Sequence, residues 1–224
     1  MILDLISNCD WKRPIYFTVT AGSDAYMGME QYLQLEGLTY RLVPVAATST
    51  NSIQGVRVAT DIMYNNVMNK FQWGNMHAKI YLNEDIRAMA NDLRIQIGTL
   101  AAALIKENKK DSALKVLNKC MDSIPEETCP YAGPMVMIDF DYYQAGQFDK
   151  ANALAKKLFD IAENKLLYFN SLTKLSKGYY KDEVEQVELI LERTDYLART
   201  YLQVDLAKDF DARIDKLQKA GILN

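Results

Sequence analysis

Tyr142-Tyr143-Gln144-Ala145-Gly146-Gln147-Phe148-Asp149-Lys150-Ala151 is the stretch that decides how this chain is read. Two aromatics, a small residue and a glycine are followed by a third aromatic and then an alanine. Glycine accepts the left-handed backbone that closes a helix. Phe148 is placed to plug the elbow behind that turn, and Ala151 is small enough to let a second helix approach the first. The stretch therefore predicts two antiparallel helices, Tyr131 to Ala145 and Phe148 to Ala162, broken at Gly146-Gln147.

Upstream, Ile86, Met89, Ala90, Leu93, Ile97, Leu100, Ala101 and Leu104 recur at helical spacing after Asn83. Asn108 breaks that helix and Asp111 can cap the next, in which Val116, Leu117, Cys120 and Met121 face inward until Pro125. Laying Ala113 over Ala151 brings Asn108 over Gly146, an offset of 38 residues. A weaker third unit sets Glu183 to Leu206 before Ala207-Lys208-Asp209-Phe210-Asp211-Ala212, with Phe210, Ile214 and Leu217 repeating the pattern after Phe148. Lys165 to Tyr180 reads as a helix bridging the second and third units.

Before residue 79 the periodicity is mixed. Ile2, Leu3, Leu5 and Ile6 suit a helix face, and the β-branched and aromatic run Arg13 to Thr20 suits a strand. Ala21-Gly22-Ser23-Asp24 is turn chemistry. Tyr26 to Leu35 reads as a short helix stopped by Gly37, and Leu38 to Val45 alternates like a second strand, with Pro44 near its end. Residues 46–56 are small and polar and read as a mobile loop. Asp61 then opens a helix containing Met63, Val67, Met68 and Phe71. The expected fold class is mostly α: a small α+β region with a two-strand element over residues 1–78, followed by helical hairpins over residues 79–224.

Composition narrows the function. With 224 residues and 49% hydrophobic content, the chain can bury a substantial core. A formal net charge of -3, without a clustered excess of Lys and Arg, argues against a nucleic-acid surface. No apolar run reaches the roughly 20 residues that span a bilayer. The opening Ile2-Leu3-Asp4-Leu5-Ile6 looks like the middle of an amphipathic helix, so the chain reads as the continuation of a longer polypeptide. Cys9, Cys120 and Cys129 have no metal-site spacing; Cys120 and Cys129 are either a bridge or buried thiols.

The stretch around Gly146 resembles the inter-helix turn of a tetratricopeptide repeat, although the offset of 38 departs from the usual 34. A second resemblance covers almost the whole chain. It is carried by Asn8-Cys9-Asp10-Trp11-Lys12-Arg13-Pro14-Ile15-Tyr16-Phe17, by Tyr32 to Pro44, by Asp61 to Met68 and by Trp73-Gly74-Asn75. These strings resemble a bacterial polytopic membrane-protein family related to the transmembrane protein O-mannosyltransferases that carry C-terminal tetratricopeptide repeats. The resemblance implies that the parent protein is a membrane-embedded C-type glycosyltransferase using a lipid-phosphate sugar donor, and that this chain is its non-catalytic C-terminal part. Its partners would be an acceptor protein or peptide and the membrane-embedded part of the same polypeptide, on the extracytoplasmic side. The alternative is a free-standing cytoplasmic scaffold that assembles proteins through its helical repeats.

No nucleophile-and-base pair, metal cluster or glycine-rich phosphate loop can be assembled, so no catalytic residue and no cofactor is expected. Two sets of binding residues are. Trp11, Lys12, Arg13, Tyr40 and Arg41 combine cations that read phosphate or carboxylate with aromatics that stack, or else they pack and flank the strands. Tyr131, Asp139, Tyr142 and Tyr143 lie on a first helix, where tetratricopeptide-like arrays hold extended peptides, or else pack against the preceding unit.

Overall fold

The computed structural model describes residues 2–48, 52–53, 55–172 and 178–223. Two compact units emerge, one formed by Met1–His77 and Ile95–Ser123 and the other by Ala78–Arg94 and Ile124–Asn224. The molecule is mostly helical, with an α+β part toward the N-terminus.

In the first unit, helix α1 (Ile2–Cys9) leads to β1 (Tyr16–Thr18), β2 (Leu33–Leu35), β3 (Thr39–Leu42), β4 (Ser52–Ile53) and β5 (Val56–Val58). These form one five-stranded sheet in the order β1-β3-β2-β5-β4, antiparallel except where β2 meets β5. The sheet is thus larger than the expected two-strand element. Met27 and Gly28 both take positive φ, 51° and 76°, so the chain forms one 3-10 turn before them (Ser23–Tyr26) and one after (Glu30–Tyr32) before Leu33 enters a strand. The polar 46–56 segment supplies β4 and the start of β5; its residues 49–51 and 54 lie outside the described residues.

Strand alternation sorts the sheet's side chains onto two faces. Phe17, Leu33 and Leu42 are buried on one of them, with Ile6 of α1, Tyr26 and Tyr40 packed against them. Behind the sheet run α2 (Thr60–Asn65) and a π-helical turn (Asn66–Lys70), followed by the C-terminal half of α3 (Glu84–Lys106) and by α4 (Lys110–Ser123). Polar bonds hold these helices in the first unit. Thr60 Oγ1 donates to the Glu107 carboxylate at 3.0 Å, and Lys109 pairs with Asp61 at 3.1 Å. These bonds place a hairpin assigned by sequence to residues 79–224 within the same unit as the sheet.

The second unit holds the N-terminal half of α3, then α5 (Pro134–Gln144), α6 (Phe148–Ser171), α7 (Lys181–Thr200) and α8 (Val204–Lys219). Helix α6 packs against α5, α7 and α8. Phe159 and Phe210 stack at 4.1 Å between α6 and α8, and Arg213 lies over the Phe159 ring at 4.5 Å while it pairs with Asp160 at 2.7 Å and with Glu163. Helix α6 runs nine residues beyond the expected end at Ala162. The third break also differs from expectation: α7 stops at Thr200 and α8 starts at Val204, ahead of the predicted Ala207.

One turn geometry recurs at all three breaks. Asn108, Gly146 and Leu202 adopt φ of 59°, 82° and 56°. In each case the next amide donates back five residues: Lys109 N to Leu104 O, Gln147 N to Tyr142 O and Gln203 N to Ala198 O, at 2.8, 2.9 and 2.8 Å. The left-handed residue's own amide donates to Ile105 O, Tyr143 O and Arg199 O respectively. This two-bond cap satisfies helix-end carbonyls that would otherwise be orphaned. Five residues past each left-handed residue stands a buried alanine, Ala113, Ala151 or Ala207, small enough to let the second arm of the hairpin pack close.

Candidate functional site

Within the second unit, a groove of about 740 Å³ opens where α6 and α7 extend beyond the hairpin turns. Its floor comes from α7, whose Val187, Ile190, Leu191, Thr194, Leu197 and Ala198 recur at helical spacing and are buried. Thr194 meets that apolar setting by donating its hydroxyl back to Ile190 O at 2.8 Å. Leu189 lies off the buried stripe and is 48% exposed on the groove wall, facing the same space as Tyr168 of α6, which is 59% exposed. Ala132, Gly133 and Pro134 form a low wall opposite, where proline at the first turn of α5 sacrifices no helical hydrogen bond. Lys165, Glu183 and Arg193 stand on the margins, all exposed. An apolar trough with aromatic and charged margins is suited to burying the anchor side chains of a polypeptide.

One wall of the unit is fixed by a buried cation. Arg94 is fully buried, and its guanidinium donates to the carbonyls of Ile124, Cys129 and Pro130 at 3.0, 2.7 and 3.3 Å. It also lies 5.1 Å above the Tyr131 ring, with Lys157 5.4 Å from the same ring. Carbonyls and a π face replace a counter-ion here, ordering residues 124–131 ahead of the groove wall.

Helix α5 carries two buried carboxyls. Asp139 and Asp141 are fully inaccessible, and none of their four oxygens has a hydrogen-bond partner. Two positions apart on a helix, they point to nearly opposite sides, so burial reaches both faces of α5. Desolvation pushes each carboxyl up to about 8. Tyr143 is raised by its burial and by Asp139; Tyr201 is raised chiefly by burial, with Asp141 adding to it. The two tyrosine rings stack at 4.7 Å, and Tyr143 donates to Asn152 Oδ1, whose amide donates to Gln203 Oε1, both at 2.7 Å.

Of the second set of expected binding residues, Tyr131, Asp139, Tyr142 and Tyr143 are thus all buried. Tyr131 packs between Arg94 and Lys157, Lys150 lies 5.9 Å from the Tyr142 ring, and Tyr143 fills the elbow beside Phe148 and Tyr201. They shape the interior, while the groove is lined by residues that sequence reasoning passed over, Tyr168, Leu189 and Arg193 among them. The exposed apolar Leu189 within a polar helix face was the available signal.

The first set divides. Trp11, Lys12 and Arg13 are exposed in the turn after α1, Trp11 with φ 57° and Lys12 paired with Asp10 at 3.3 Å. Tyr40 points to the apolar face, edge-on to Tyr26 at 5.9 Å, whereas Arg41 points to the other and lies 3.6 Å from Glu36. Adjacent in sequence, Tyr40 and Arg41 are separated by the sheet itself. Cys120 and Cys129 are both buried and are not joined in a disulfide. Among the described residues no helix is long and apolar enough to cross a membrane.

The fold is that of a helical-hairpin protein with an α+β portion at its N-terminal end. Residues 1–62 match the family model described as TMEM260-associated domain 2, which links this part of the chain to that family. No curated protein and no solved structure matches the chain.

Proposed function

We propose that this chain is a non-catalytic interaction domain of a membrane-embedded glycosyltransferase-like protein, and that it holds a segment of the acceptor polypeptide in the groove between α6 and α7. It would work on the extracytoplasmic side, beside the membrane-embedded part of its own polypeptide. The observation that carries the reading is the groove, with Tyr168 and Leu189 exposed on an apolar trough of about 740 Å³. Large apolar side chains so displayed gain most when a partner covers them. The match of residues 1–62 to a domain named for its association with TMEM260 supports the connection to such a parent.

The test is selection of peptides from a displayed library on the purified chain, followed by calorimetry. Selected peptides are expected to carry apolar or aromatic anchors and to lose at least about tenfold in affinity against Leu189→Asp, the size of one hot-spot anchor. Because Leu189 is half exposed, the variant should keep its melting temperature. Peptides that bind Leu189→Asp and Tyr168→Ala as well as the parent chain would sink the assignment, and so would turnover of a glycosyl donor by the chain alone.

A further inference from the structure

The sheet's second face carries a row of polar residues that the groove does not involve. Register places Tyr16 opposite Arg41, Arg41 opposite Gln34, and Gln34 beside Arg57, so the four side chains follow one another across β1, β3, β2 and β5. Residues in register across a sheet point to the same side. Gln34 therefore stands between two arginines, whose Cα atoms are about 10 Å apart by the spacing of two strand intervals. Side chains as long as arginine span that gap easily and can close on one group between them.

The two guanidiniums are not equivalent. Glu36 also lies on this face, two residues along β2 from Gln34, and is nearly buried. It accepts from Tyr16 Oη at 3.1 Å and from Gln34 Nε2 at 2.8 Å, and it balances Arg41 at 3.6 Å. Among the described residues Arg57 has no such partner: its Nη1 is buried without a hydrogen bond, and no carboxylate pairs with it. A desolvated guanidinium N–H left unpaired is costly, and native structures rarely retain one without a reason. Among the described residues of this face, with Glu36 matched to Arg41, the charge left over belongs to Arg57.

We propose that this face is a binding site for an oxyanion, a phosphate or carboxylate group, with Arg57 as the principal donor and Arg41 and Gln34 completing the cradle. Arginine suits such a group because its fork donates two parallel hydrogen bonds to two oxygens. Tyr16, 47% exposed at the end of the row, borders the open side.

The experiment is a titration of the full chain, labelled at arginine, with inorganic phosphate and separately with acetate, following the Nε–Hε signals by NMR. The expected result is a saturable shift of the Arg57 signal, with Arg199 of α7, paired with Asp195, serving as the reference. Saturation by phosphate alone assigns a tetrahedral dianion; saturation by both assigns the oxyanion class more broadly. Arg57→Gln should weaken phosphate binding at least tenfold and Arg41→Gln about threefold, the smaller loss reflecting the Glu36 contact that Arg41 already has. Parallel, non-saturating drift of the Arg57 and Arg199 signals would overturn the proposal. So would tight binding retained by a folded Arg57→Gln chain. The parent-chain titration decides even if that variant fails to fold.

Discussion

Changing pH between 5 and 7.5 should alter the stability of the second unit through Asp139 and Asp141. In the unfolded chain these carboxyls titrate near 4, whereas burial raises them to about 8 in the fold. The native state therefore keeps two protons that the unfolded state gives up. Unfolding releases protons throughout the interval, so stability is fully present below about pH 4 and falls as pH rises toward 8. One proton difference is worth about 1.4 kcal/mol per pH unit, so the pair gives a slope on the order of 3 kcal/mol per unit. The groups nearest to them, Tyr143 and Tyr201, have raised values and stay neutral in this range. Urea unfolding followed by far-UV circular dichroism at pH 5, 6 and 7 reads the slope. Both tryptophans, Trp11 and Trp73, lie in the first unit, so their fluorescence gives an internal comparison. Replacing both aspartates by asparagine should flatten the dichroism-detected slope and leave the variant more stable than the parent at pH 7.5. A parent chain whose stability is the same at pH 5 and 7, within about 0.5 kcal/mol of measurement scatter, would refute the reasoning.

Other expectations concern single contacts. Arg94→Met should cost about 3 kcal/mol, since it strips the donors from three buried carbonyls, and Arg94→Lys should recover less than half of that because an ammonium cannot reach all of them; a loss under about 1 kcal/mol in urea melts would show the network to be dispensable. Leu202 holds a left-handed backbone with its side chain 81% exposed. Leu202→Gly should therefore stabilise by about 1 kcal/mol, and Gly146→Ala should destabilise by a similar amount; changes of the same sign in thermal melts would contradict the shared turn geometry. Tyr168→Ala should leave the melting temperature within about 2 °C of the parent, as expected for a side chain on an open wall.

The helical breaks were legible where the residue itself favours left-handed backbone, as Asn108 and Gly146 do. Leu202 carries no such preference, and the sequence accordingly placed the third break several residues late. Strands β4 and β5 went unseen because two- and three-residue strands are too short for alternation to stand out, and Arg57 was lost with them. In α5, the order Ile138-Asp139-Phe140-Asp141 looks like an acid-decorated surface, yet all but Phe140 are buried. Charged residues are so seldom inaccessible that no sequence rule would place both of these inside. The polar face of the sheet was half legible: Arg41 was singled out, but its neighbours in space come from other strands, beyond the reach of local pattern.

The left-handed residues at 108, 146 and 202 are separated by 38 and then by 56 positions. The excess amounts to about five helical turns' worth of residues, and it goes with the long arms α6 (Phe148–Ser171) and α7 (Lys181–Thr200). Much of the groove is built from that overhang, including Lys165, Tyr168 and Phe169 on α6 and Glu183, Gln186 and Leu189 on α7. A regular array would pass from one elbow to the next with nothing left over. Here the cavity follows the unequal spacing, and shortening α6 and α7 by their overhanging turns would remove Tyr168 and Leu189 and erase the trough between them.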